Sequence, residues 1–588
     1  MGEPRLGGGG GCVGRLEEAL RSRLGDSLRG VEALAPGKAV FYVDREALPK
    51  AVSYVLSELG GRLATVVGSD ERSLHGHYVV YYPIAMDFTD EFRVDGGSKC
   101  WAVIASLIPP EDPSFPSVTP ESPAANWGER EVRDLLGLKP VGHPDPRRLV
   151  LPDDWPDGLY PLREDMDYSY RPPPKACPTY TFQPSRRVVE GSSIVELPVG
   201  PIHPASDEPG QFRLYVDGEE VVDFDYRLFH VHRGVEKLGV SRMTYNQIPF
   251  LAERICGICG YSHSCCYCQA VEEAFGIEVP ERAEFIRSVM LEIERIHSHL
   301  LIVGLGLHLA AFDWGFMQLF RVRERIMDLA EVLTGNRKTY GMNVVGGVRR
   351  DFTKDRIAKA FKVLKEFRRD YLEVLNIILS NRSVLDRLES IGILEPGVAR
   401  DLGVLGPTAR GSGLAIDVRA DHPYAAYKHL PLEVIVEDGC DVLARHAVRL
   451  KEALHSVELI EHALDSMPGG PVLAERVEPV PHVRGLSSIE APRGETFHFI
   501  LSGRYSRLIR WKVRAPTYNN WAAMPHMCRG YTVADIPLIL TSIDPCYSCT
   551  ERALVVDVRS GARRLLSWRE LTALSRRASK AGRASGVV

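Results

Sequence analysis

Two pairs of cysteines place the strongest constraint on how this chain can fold. Cys256 and Cys259 lie in the segment RICGICGYSH, and Cys546 and Cys549 lie in the segment DPCYSCTER. In a zinc ribbon, two C-x-x-C pairs usually lie within about 15 to 20 residues of each other. Here almost half of the 588-residue chain separates them, so the intervening chain must fold first and bring both pairs to one point, as in metal sites built between helices. Spacing alone leaves a buried metal site and unrelated reduced thiols as equal alternatives.

The first part of the chain, residues 13–166, alternates helical and strand patterns and is predicted to form a compact α/β domain. Helical periodicity covers Leu16 to Leu24, and β-rich segments cover Ala39 to Val43, Tyr78 to Tyr82 and Trp101 to Leu107. Pro172 to Pro174 exclude helix and favour an extended strap, so residues 167–190 are predicted to be a linker. Residues 1–12, with five consecutive glycines, are predicted to be a disordered tail.

The second part is predicted to be mainly helical, with a small β-rich entry, which gives the whole chain an α+β fold. The entry consists of Gln211 to Val216 and Val221 to Phe229, joined by a turn at Asp217-Gly218. Helical patterns follow in Phe285 to Leu300, Asp355 to Leu379 and Leu432 to Leu464. The apolar run Leu300 to Phe320 contains His308 and Asp313, so it indicates a buried bundle helix rather than a membrane span.

Charge and cysteine usage narrow the functional classes. The net charge of −5, from 72 basic and 77 acidic residues, gives no sign of a nucleic-acid partner or of a polybasic membrane anchor. Twelve cysteines without a recognisable signal peptide predict a reducing, cytosolic setting in which thiols stay free to bind metals.

The residues around the cysteines carry a family resemblance. The patterns R-x-C-G-x-C-x-x-x-H and D-P-C-x-x-C-x-x-R closely resemble the two cysteine motifs of nickel-iron hydrogenase large subunits. The segment Gly128 to Asp165 resembles the signature of the 30-kDa subunit of respiratory complex I, and Gly406 to Tyr427 resembles a segment of its 49-kDa subunit. The resemblance therefore implies a fusion of a 30-kDa-like domain with a hydrogenase large-subunit or 49-kDa-like domain at residues 191–552, as in membrane-associated, group 4 hydrogenases of the formate hydrogenlyase type.

The resemblance implies a metal centre held by the four motif cysteines. Cys256 and Cys546 would be terminal nickel ligands, while Cys259 and Cys549 would bridge nickel to an iron carrying two cyanides and one carbon monoxide. Magnesium is a further candidate ion, for which the sequence gives no ligands. Three neighbouring thiols fall outside the family's ligand positions and are predicted to be small buried side chains: Cys265, Cys266 and Cys268.

Four further residues match the family's functional positions. His263 would donate a hydrogen bond to a bridging sulfur, and its alternative is an ordinary core histidine. Glu236 would transfer protons as a buried carboxyl with a raised pKa; its alternative is a surface carboxylate paired with Lys237. Arg493 would overhang the open metal position with Asp544 as its anchor, and both have structural salt bridges as alternatives.

Two alternative functions are a quinone-binding subunit and a zinc-stapled structural subunit. The related 49-kDa subunits bind quinone without the nickel-ligating cysteines, but where they read D-R-L-D-Y this chain has Cys256 followed by Gly257, so the quinone-facing tyrosine is absent. Their G-P-Q-H-P-x-x-H-G motif is also altered here, with Asp207 near the second histidine position. A zinc-stapled structural subunit would leave Glu236 and Arg493 unexplained.

The predicted function is reversible dihydrogen oxidation within a larger complex. No iron–sulfur motif remains in the chain, so electrons would leave through a 20-kDa-like iron–sulfur small subunit. The resemblance further implies a ferredoxin-like subunit, membrane-arm subunits that hold the chain at the cytoplasmic face of the membrane, and formate dehydrogenase as one candidate donor, with ferredoxin and carbon monoxide dehydrogenase as others. It also implies a maturation endopeptidase that removes residues 553–588 after Arg552; the alternative is a permanent terminal helix.

Overall fold

The computed structural model describes residues 11–94, 97–152, 155–170, 193–201, 209–230, 232–475 and 477–547, and the short strands Val555–Val556 and Arg563–Arg564. Residues 1–10 of the predicted tail, the Pro-rich part of the linker, Asp207, Cys549 and most of the predicted C-terminal extension lie outside these ranges. The tail was predicted to extend to residue 12, which is wrong, because Cys12 is buried and begins the first helix. The predicted α+β class is confirmed: a sheet-rich first part precedes a helix-rich second part.

The first part is built around a mixed six-stranded sheet. Its strand order is β1-β2-β6-β5-β3, with β4 also paired to β5; β2 and β6 run parallel and the other pairs are antiparallel. Helices α1 and α2 bury apolar stripes against it. The elements are α1 (Cys12–Leu24), β1 (Leu28–Ala35), β2 (Lys38–Val43), α2 (Leu48–Ser57), β3 (Arg62–Leu63), β4 (Val67–Glu71), α3 (Arg72–His75), β5 (His77–Ala85), β6 (Trp101–Ile108), β7 (Ser114–Pro116), α4 (Asn126–Leu136) and β8 (Lys139–Val141).

The second part enters through a three-stranded sheet and continues into a helix bundle. Strands β9 (Ile194–Val199), β10 (Gln211–Asp217) and β11 (Glu220–Arg227) form the entry sheet, in the order β11-β10-β9. The next elements are α5 (Val235–Arg242), α6 (Ile248–Ala252), α7 (Gly260–Phe275), α8 (Glu281–Leu309), α9 (Asp313–Thr334), β12 (Asn343–Val344), β13 (Gly347–Val348), α10 (Lys354–Ser380), α11 (Arg382–Leu388), α12 (Pro396–Asp401), α13 (Gly406–Arg410), α14 (Val418–Asp421) and α15 (Val442–Asp465).

A second three-stranded sheet lies near the C-terminal end. It consists of β14 (Arg484–Ala491), β15 (Gly494–Ser502) and β16 (Leu508–Arg514), with β15 in the centre. Short helices and strands follow: α16 (Pro516–Asn520), α17 (Met524–Cys528), α18 (Ile536–Ser542), β17 (Val555–Val556) and β18 (Arg563–Arg564).

The two parts share a hydrophobic core made by two facing sheets. Because side chains alternate along a strand, Phe497, Phe499 and Leu501 of β15 point toward the first part and pack with Tyr81 and Trp101. The ring centroids of Tyr81 and Phe499 are 5.2 Å apart, and those of Trp101 and Phe497 are 5.6 Å apart. The intervening residues of β15 face the bundle side, so every residue of this strand is buried.

Three further expectations from the sequence need correction. The apolar run from Leu300 to Phe320 is not one helix, because α8 ends at Leu309 and α9 begins at Asp313, where an acidic side chain stabilises a helix N-terminus. The helix predicted from Leu432 begins at Val442 instead, where the Asp441 side chain accepts from the Ala444 amide. The thiols are not all free, because Cys12 and Cys100 form a disulfide. None of the described helices is long and apolar enough to cross a membrane.

Candidate metal centre

The described motif cysteines converge although the chain separates them widely. Cys256 lies in the loop between α6 and α7, Cys259 immediately precedes α7, and Cys546 follows α18. The Sγ atom of Cys546 lies 3.5 Å from that of Cys256, and all three thiols are buried. They form their own small cluster with Ala491, the last residue of β14.

Local backbone features bring the two cysteine loops together. A Cβ atom on Gly260 would lie 2.4 Å from the Glu253 carbonyl oxygen, so only glycine lets α7 start this close to the preceding turn. On the other loop, Asp544 has φ of 55°, a left-handed conformation that Asp tolerates better than most residues. Pro545 then prevents α18 from continuing, and the chain turns toward Cys546.

Arg493 lies between the two cysteine loops. It occupies the two-residue turn between β14 and β15, in which Ala491 pairs with Gly494. Its Nε donates to the Asp544 carbonyl oxygen at 2.9 Å, and its Nη2 lies 2.8 Å from Asp544 Oδ1. Its Nη1 is 3.8 Å from the sulfurs of both Cys256 and Cys259. The guanidinium therefore touches both cysteine loops at once.

The electrostatic setting distinguishes the motif cysteines from their neighbours. Hydrogen bonds from Cys259 and Cys546, together with the charge of Arg493, hold the pKa of Cys256 well below its usual value. At the α7 thiols burial outweighs the nearby partners: it raises the pKa of Cys265 to about 12 against the charge of Arg287, and it also raises the pKa of Cys266 and Cys268. Thiolate is the form that binds metal, so Cys256 is prepared to ligate and the three α7 thiols are not.

His263 is buried on the first turn of α7 and faces the β14–β16 sheet. Its Nδ1 lies 3.2 Å from Nε2 of His498, and Trp511 Nε1 donates to His498 Nδ1 at 3.2 Å. His263 Nε2 has no hydrogen-bond partner in the described part of the chain. Sequence reasoning did not identify His498 and Trp511; the period of two along β15 and β16 could have placed them on the bundle side.

Glu236 lies in the first turn of α5, and its environment differs from the expected one. It pairs with Arg510 at 2.6 Å and accepts from the Val513 amide at 2.9 Å. Burial alone would raise its pKa, but Arg510 and Lys512 outweigh burial and lower it. The expectation of a raised pKa was therefore wrong, because nothing near Glu236 in the sequence indicates that β16 brings two cations here. The alternative partner Lys237 instead donates to the carbonyl oxygens of Arg163 and Met166.

The donor set suits a soft metal once the second C-x-x-C pair is complete. Within the described ranges, no three His, Cys, Asp or Glu side chains are grouped closely enough to hold a metal ion by themselves. Cys256 and Cys546 supply two adjacent sulfurs, Cys259 lies beside them, and Cys549 is outside the described residues. Thiolate sulfur favours nickel, iron and zinc over hard cations. The unpaired donor of His263 fits an acceptor that the described residues do not provide.

Comparisons with known proteins agree with this architecture. Three family models match: "Respiratory-chain NADH dehydrogenase, 30 Kd subunit" at residues 41–172, "Nickel-dependent hydrogenase" at 233–322, and "Respiratory-chain NADH dehydrogenase, 49 Kd subunit" at 312–484 and 476–552. The chain is 50% identical to formate hydrogenlyase subunit 5 of Escherichia coli, over 89% of this chain and 90% of that protein. It is 47% identical to hydrogenase-4 component G of Escherichia coli, over 94% and 95%.

A solved structure shares the fold over a smaller region. A chain of the membrane-bound sulfane sulfur reductase, an archaeal respiratory membrane complex, superposes with a TM-score of 0.58 at 30% identity, over 61% of this chain and 98% of that chain.

A 30-kDa-like sheet domain fused to a 49-kDa-like bundle, with thiols converging at the bundle edge, defines a complex I-related hydrogenase subunit. The chain belongs to the family of group 4 nickel-iron hydrogenase large subunits of the formate hydrogenlyase type. It is accordingly an oxidoreductase of the hydrogenase class.

Proposed function

We propose that this chain is the catalytic subunit of a membrane-associated nickel-iron hydrogenase, with the metals held by Cys256, Cys259, Cys546 and Cys549. The observation that carries the proposal is the 3.5 Å separation of the Cys256 and Cys546 sulfurs beneath the guanidinium of Arg493. Such a nickel–iron centre supplies the site at which dihydrogen is bound and cleaved. Gly257, at the quinone-tyrosine position, has no side chain to bind a quinone, which favours hydrogenase over quinone chemistry.

The surrounding residues would control charge and protons. The Asp544 carboxylate and carbonyl hold Arg493 by two of its nitrogens, which leaves Nη1 directed at the sulfurs as a fixed positive charge. Glu236 is ionised at neutral pH because of its two cations, so it would act as a proton acceptor rather than as a stored acid. His263 would stabilise a ligand sulfur by donating a hydrogen bond.

Partners would complete the electron path. We propose that electrons leave through an iron–sulfur small subunit of the complex I 20-kDa type, joined by a ferredoxin-like subunit. Membrane-arm subunits would hold the chain at the cytoplasmic face of the membrane. Formate dehydrogenase is one candidate donor. Membership in a family of multisubunit complexes supports this arrangement. Purification of an active complex that contains this chain but no iron–sulfur subunit would contradict it.

We further propose that residues 553–588 are removed by an endopeptidase after the metals are inserted. Apart from the paired strands β17 and β18, this segment lies outside the described residues. Intact-mass measurement of the active enzyme decides the question, because an active, nickel-loaded chain that retains Val588 would contradict processing after Arg552.

Metal analysis tests the main proposal. The purified complex is expected to contain about one nickel per chain and to show infrared bands of iron-bound cyanide and carbon monoxide. Cys546→Ala should abolish both. Cys440→Ala is the matched control, since Cys440 is a free thiol outside the cysteine cluster, and it should retain both. One zinc per chain without those bands would instead identify a zinc-stapled subunit.

A further inference from the structure

Three buried rings form a hydrogen-bonded row behind the cysteine cluster. Trp511 lies on β16, His498 on the adjacent strand β15, and His263 on α7. Trp511 Nε1 is 3.2 Å from His498 Nδ1, and His498 Nε2 is 3.2 Å from His263 Nδ1. All three side chains are fully buried, so solvent does not compete for these bonds.

The row has a fixed direction because one end can only donate. The indole N–H has no acceptor capacity, so His498 Nδ1 must carry a lone pair. An imidazolium has no lone pair on either nitrogen, which makes His498 neutral with its proton on Nε2. His498 Nε2–H points at His263 Nδ1, so His263 Nδ1 must carry a lone pair and accept. His263 is therefore neutral, with its proton on Nε2.

The remaining proton of His263 has no hydrogen-bond acceptor among the described residues. His263 Nε2 has no hydrogen-bond partner in the described ranges, and a buried donor of this kind needs one. The ring is held one helical turn beyond Cys259, whose carbonyl accepts from the His263 amide at 3.3 Å. Burial and the charges of Arg493, Arg233 and Arg514 lower the pKa of His263 to about 4 despite the opposing Cys256, in agreement with a neutral ring.

We propose that Trp511 and His498 are positioning residues that fix the tautomer of His263, so that its Nε2–H is always presented as a donor to a ligand thiolate of the metal centre. The proposal rests on the proposed function in one respect, the identity of the acceptor. The direction of the row depends only on contacts between the three rings. With the opposite tautomer, His263 would present a lone pair to an anionic sulfur, and the two would repel each other.

The tautomers can be measured directly. In chain labelled with ¹⁵N-histidine, the nitrogen signals of His263 and His498 are expected to show a protonated Nε2 and an unprotonated Nδ1, whether or not metal is present. Each signal is assigned by its loss in His263→Gln or His498→Gln. A protonated Nδ1 on His263 in the wild-type chain would overturn the proposal.

Substitutions test whether the row does the positioning. Trp511→Phe removes the donor and keeps an aromatic ring, and His498→Met removes the middle donor at similar size. Both should raise the Nδ1–H fraction of His263 and shift the infrared bands of iron-bound carbon monoxide and cyanide to lower wavenumber, because a thiolate without a hydrogen bond donates more electron density. His498→Gln, which can place an N–H at the same position, should restore the wild-type band positions.

The outcomes separate this inference from the proposed function. Trp101→Phe changes another buried tryptophan, which lies in the first part. It should leave the nitrogen signals of His263 and the infrared bands unchanged. If wild-type chain shows the infrared bands but neither the nitrogen signals nor the bands move in Trp511→Phe and His498→Met, the positioning role is wrong. If wild-type chain shows no bands and no nickel, the proposed function fails, while the tautomer measurement still decides the direction of the row.

Discussion

At the scale of single residues, Glu236 combines an ionised carboxylate with limited exposure. Its side chain is 12% exposed and lies between Arg510 and Lys512. Lys512 also pairs with Glu131 of α4, at 2.5 Å. Any substitution at Glu236 therefore changes both a candidate proton acceptor and a local charge network, and an experiment must separate the two effects.

Glu236→Gln is expected to keep the metals but to lower dihydrogen turnover and hydrogen/deuterium exchange by about 10²- to 10⁴-fold, because a neutral amide cannot accept a proton. Turnover and nickel content are measured on the same preparation. Glu131→Gln is the matched control, since it removes an ion pair to the same lysine from the other side. Equal losses in both variants would assign Glu236 to the charge network alone.

Arg493→Lys is expected to lower turnover by about a hundredfold or more while the chain stays folded. A lysine keeps the charge but cannot hold both Asp544 contacts and also point a nitrogen at the sulfurs. Arg484→Lys is the control: Arg484 begins β14, at the opposite end of that strand from Arg493, and pairs with Glu71 at 2.6 Å. It should lower thermal stability and leave turnover per folded chain nearly unchanged. Near-normal turnover in Arg493→Lys would make Arg493 a structural residue.

At the scale of elements, the helix bundle encloses a network of buried ion pairs. Glu292 on α8 lies within hydrogen-bond distance of Arg295 and Arg419 and accepts from Tyr427 and Ser456. Burial alone would raise the pKa of Glu292, but the two arginines and the hydroxyl donors lower it from 4.5 to about 2. The network joins α8 to β14, since Arg295 also donates to the carbonyl oxygen of Glu490 on that strand at 2.7 Å.

The lowered pKa gives this network a defined pH dependence. A carboxyl whose pKa is lower in the folded chain stabilises the fold above its ordinary pKa, and that stabilisation is lost as pH falls, here from about 4.5 toward 2. Glu292→Gln should therefore cost roughly 3–5 kcal/mol in the free energy of unfolding at pH 7, because it removes the buried carboxylate that pairs with both Arg295 and Arg419.

Denaturant unfolding is measured between pH 7 and pH 3. The difference in the free energy of unfolding between wild type and Glu292→Gln should become smaller below about pH 4.5. Glu366→Gln breaks an ion pair with Arg325 in which both side chains are about one-third exposed, and it should change stability by less than about 1 kcal/mol. If the difference in unfolding free energy between wild type and Glu292→Gln stays constant with pH, ionisation of Glu292 does not stabilise the fold.

Sequence patterns predicted those features that local periodicity or a motif determines. The strands β2, β5 and β6, the hairpin β10–β11 and the long helix α10 follow from alternation and helical repeats within each segment. The break at Ala310 to Phe312 was missed, because an uninterrupted apolar run does not show where a helix ends. The lowered pKa of Glu236 was also missed, since Arg510 is distant in sequence and only the β16 pairing brings it near. Motif resemblance suggested Arg493 with Asp544, but nothing local indicated His498 and Trp511.

At the scale of the whole molecule, the first part supports the sheet that carries Arg493. Phe497 and Phe499 of β15 pack on the first part's sheet, while His498 between them faces the bundle. Buried ion pairs also cross this boundary: Arg62 binds Glu495 at 2.5 Å, and Arg484 binds Glu71. The two parts therefore share one core, although family models for two separate subunits match them.

Removing residues 1–166 should expose Phe497, Phe499 and Leu501 and make the remaining chain aggregate, since these side chains then form an uncovered apolar sheet face. Supplying residues 1–166 as a separate chain should restore a soluble complex, because the contact needs no covalent link. Size-exclusion chromatography and thermal unfolding of the two-chain complex provide the measurement.

Phe499→Asp should prevent association of the two chains, whereas Tyr505→Asp, at a side chain that is 90% exposed, should not. The second part alone could instead stay monomeric and unfold at the same temperature midpoint as the full-length chain. That result would show that the β14–β16 sheet does not depend on the first part, and that the position of Arg493 does not depend on it either.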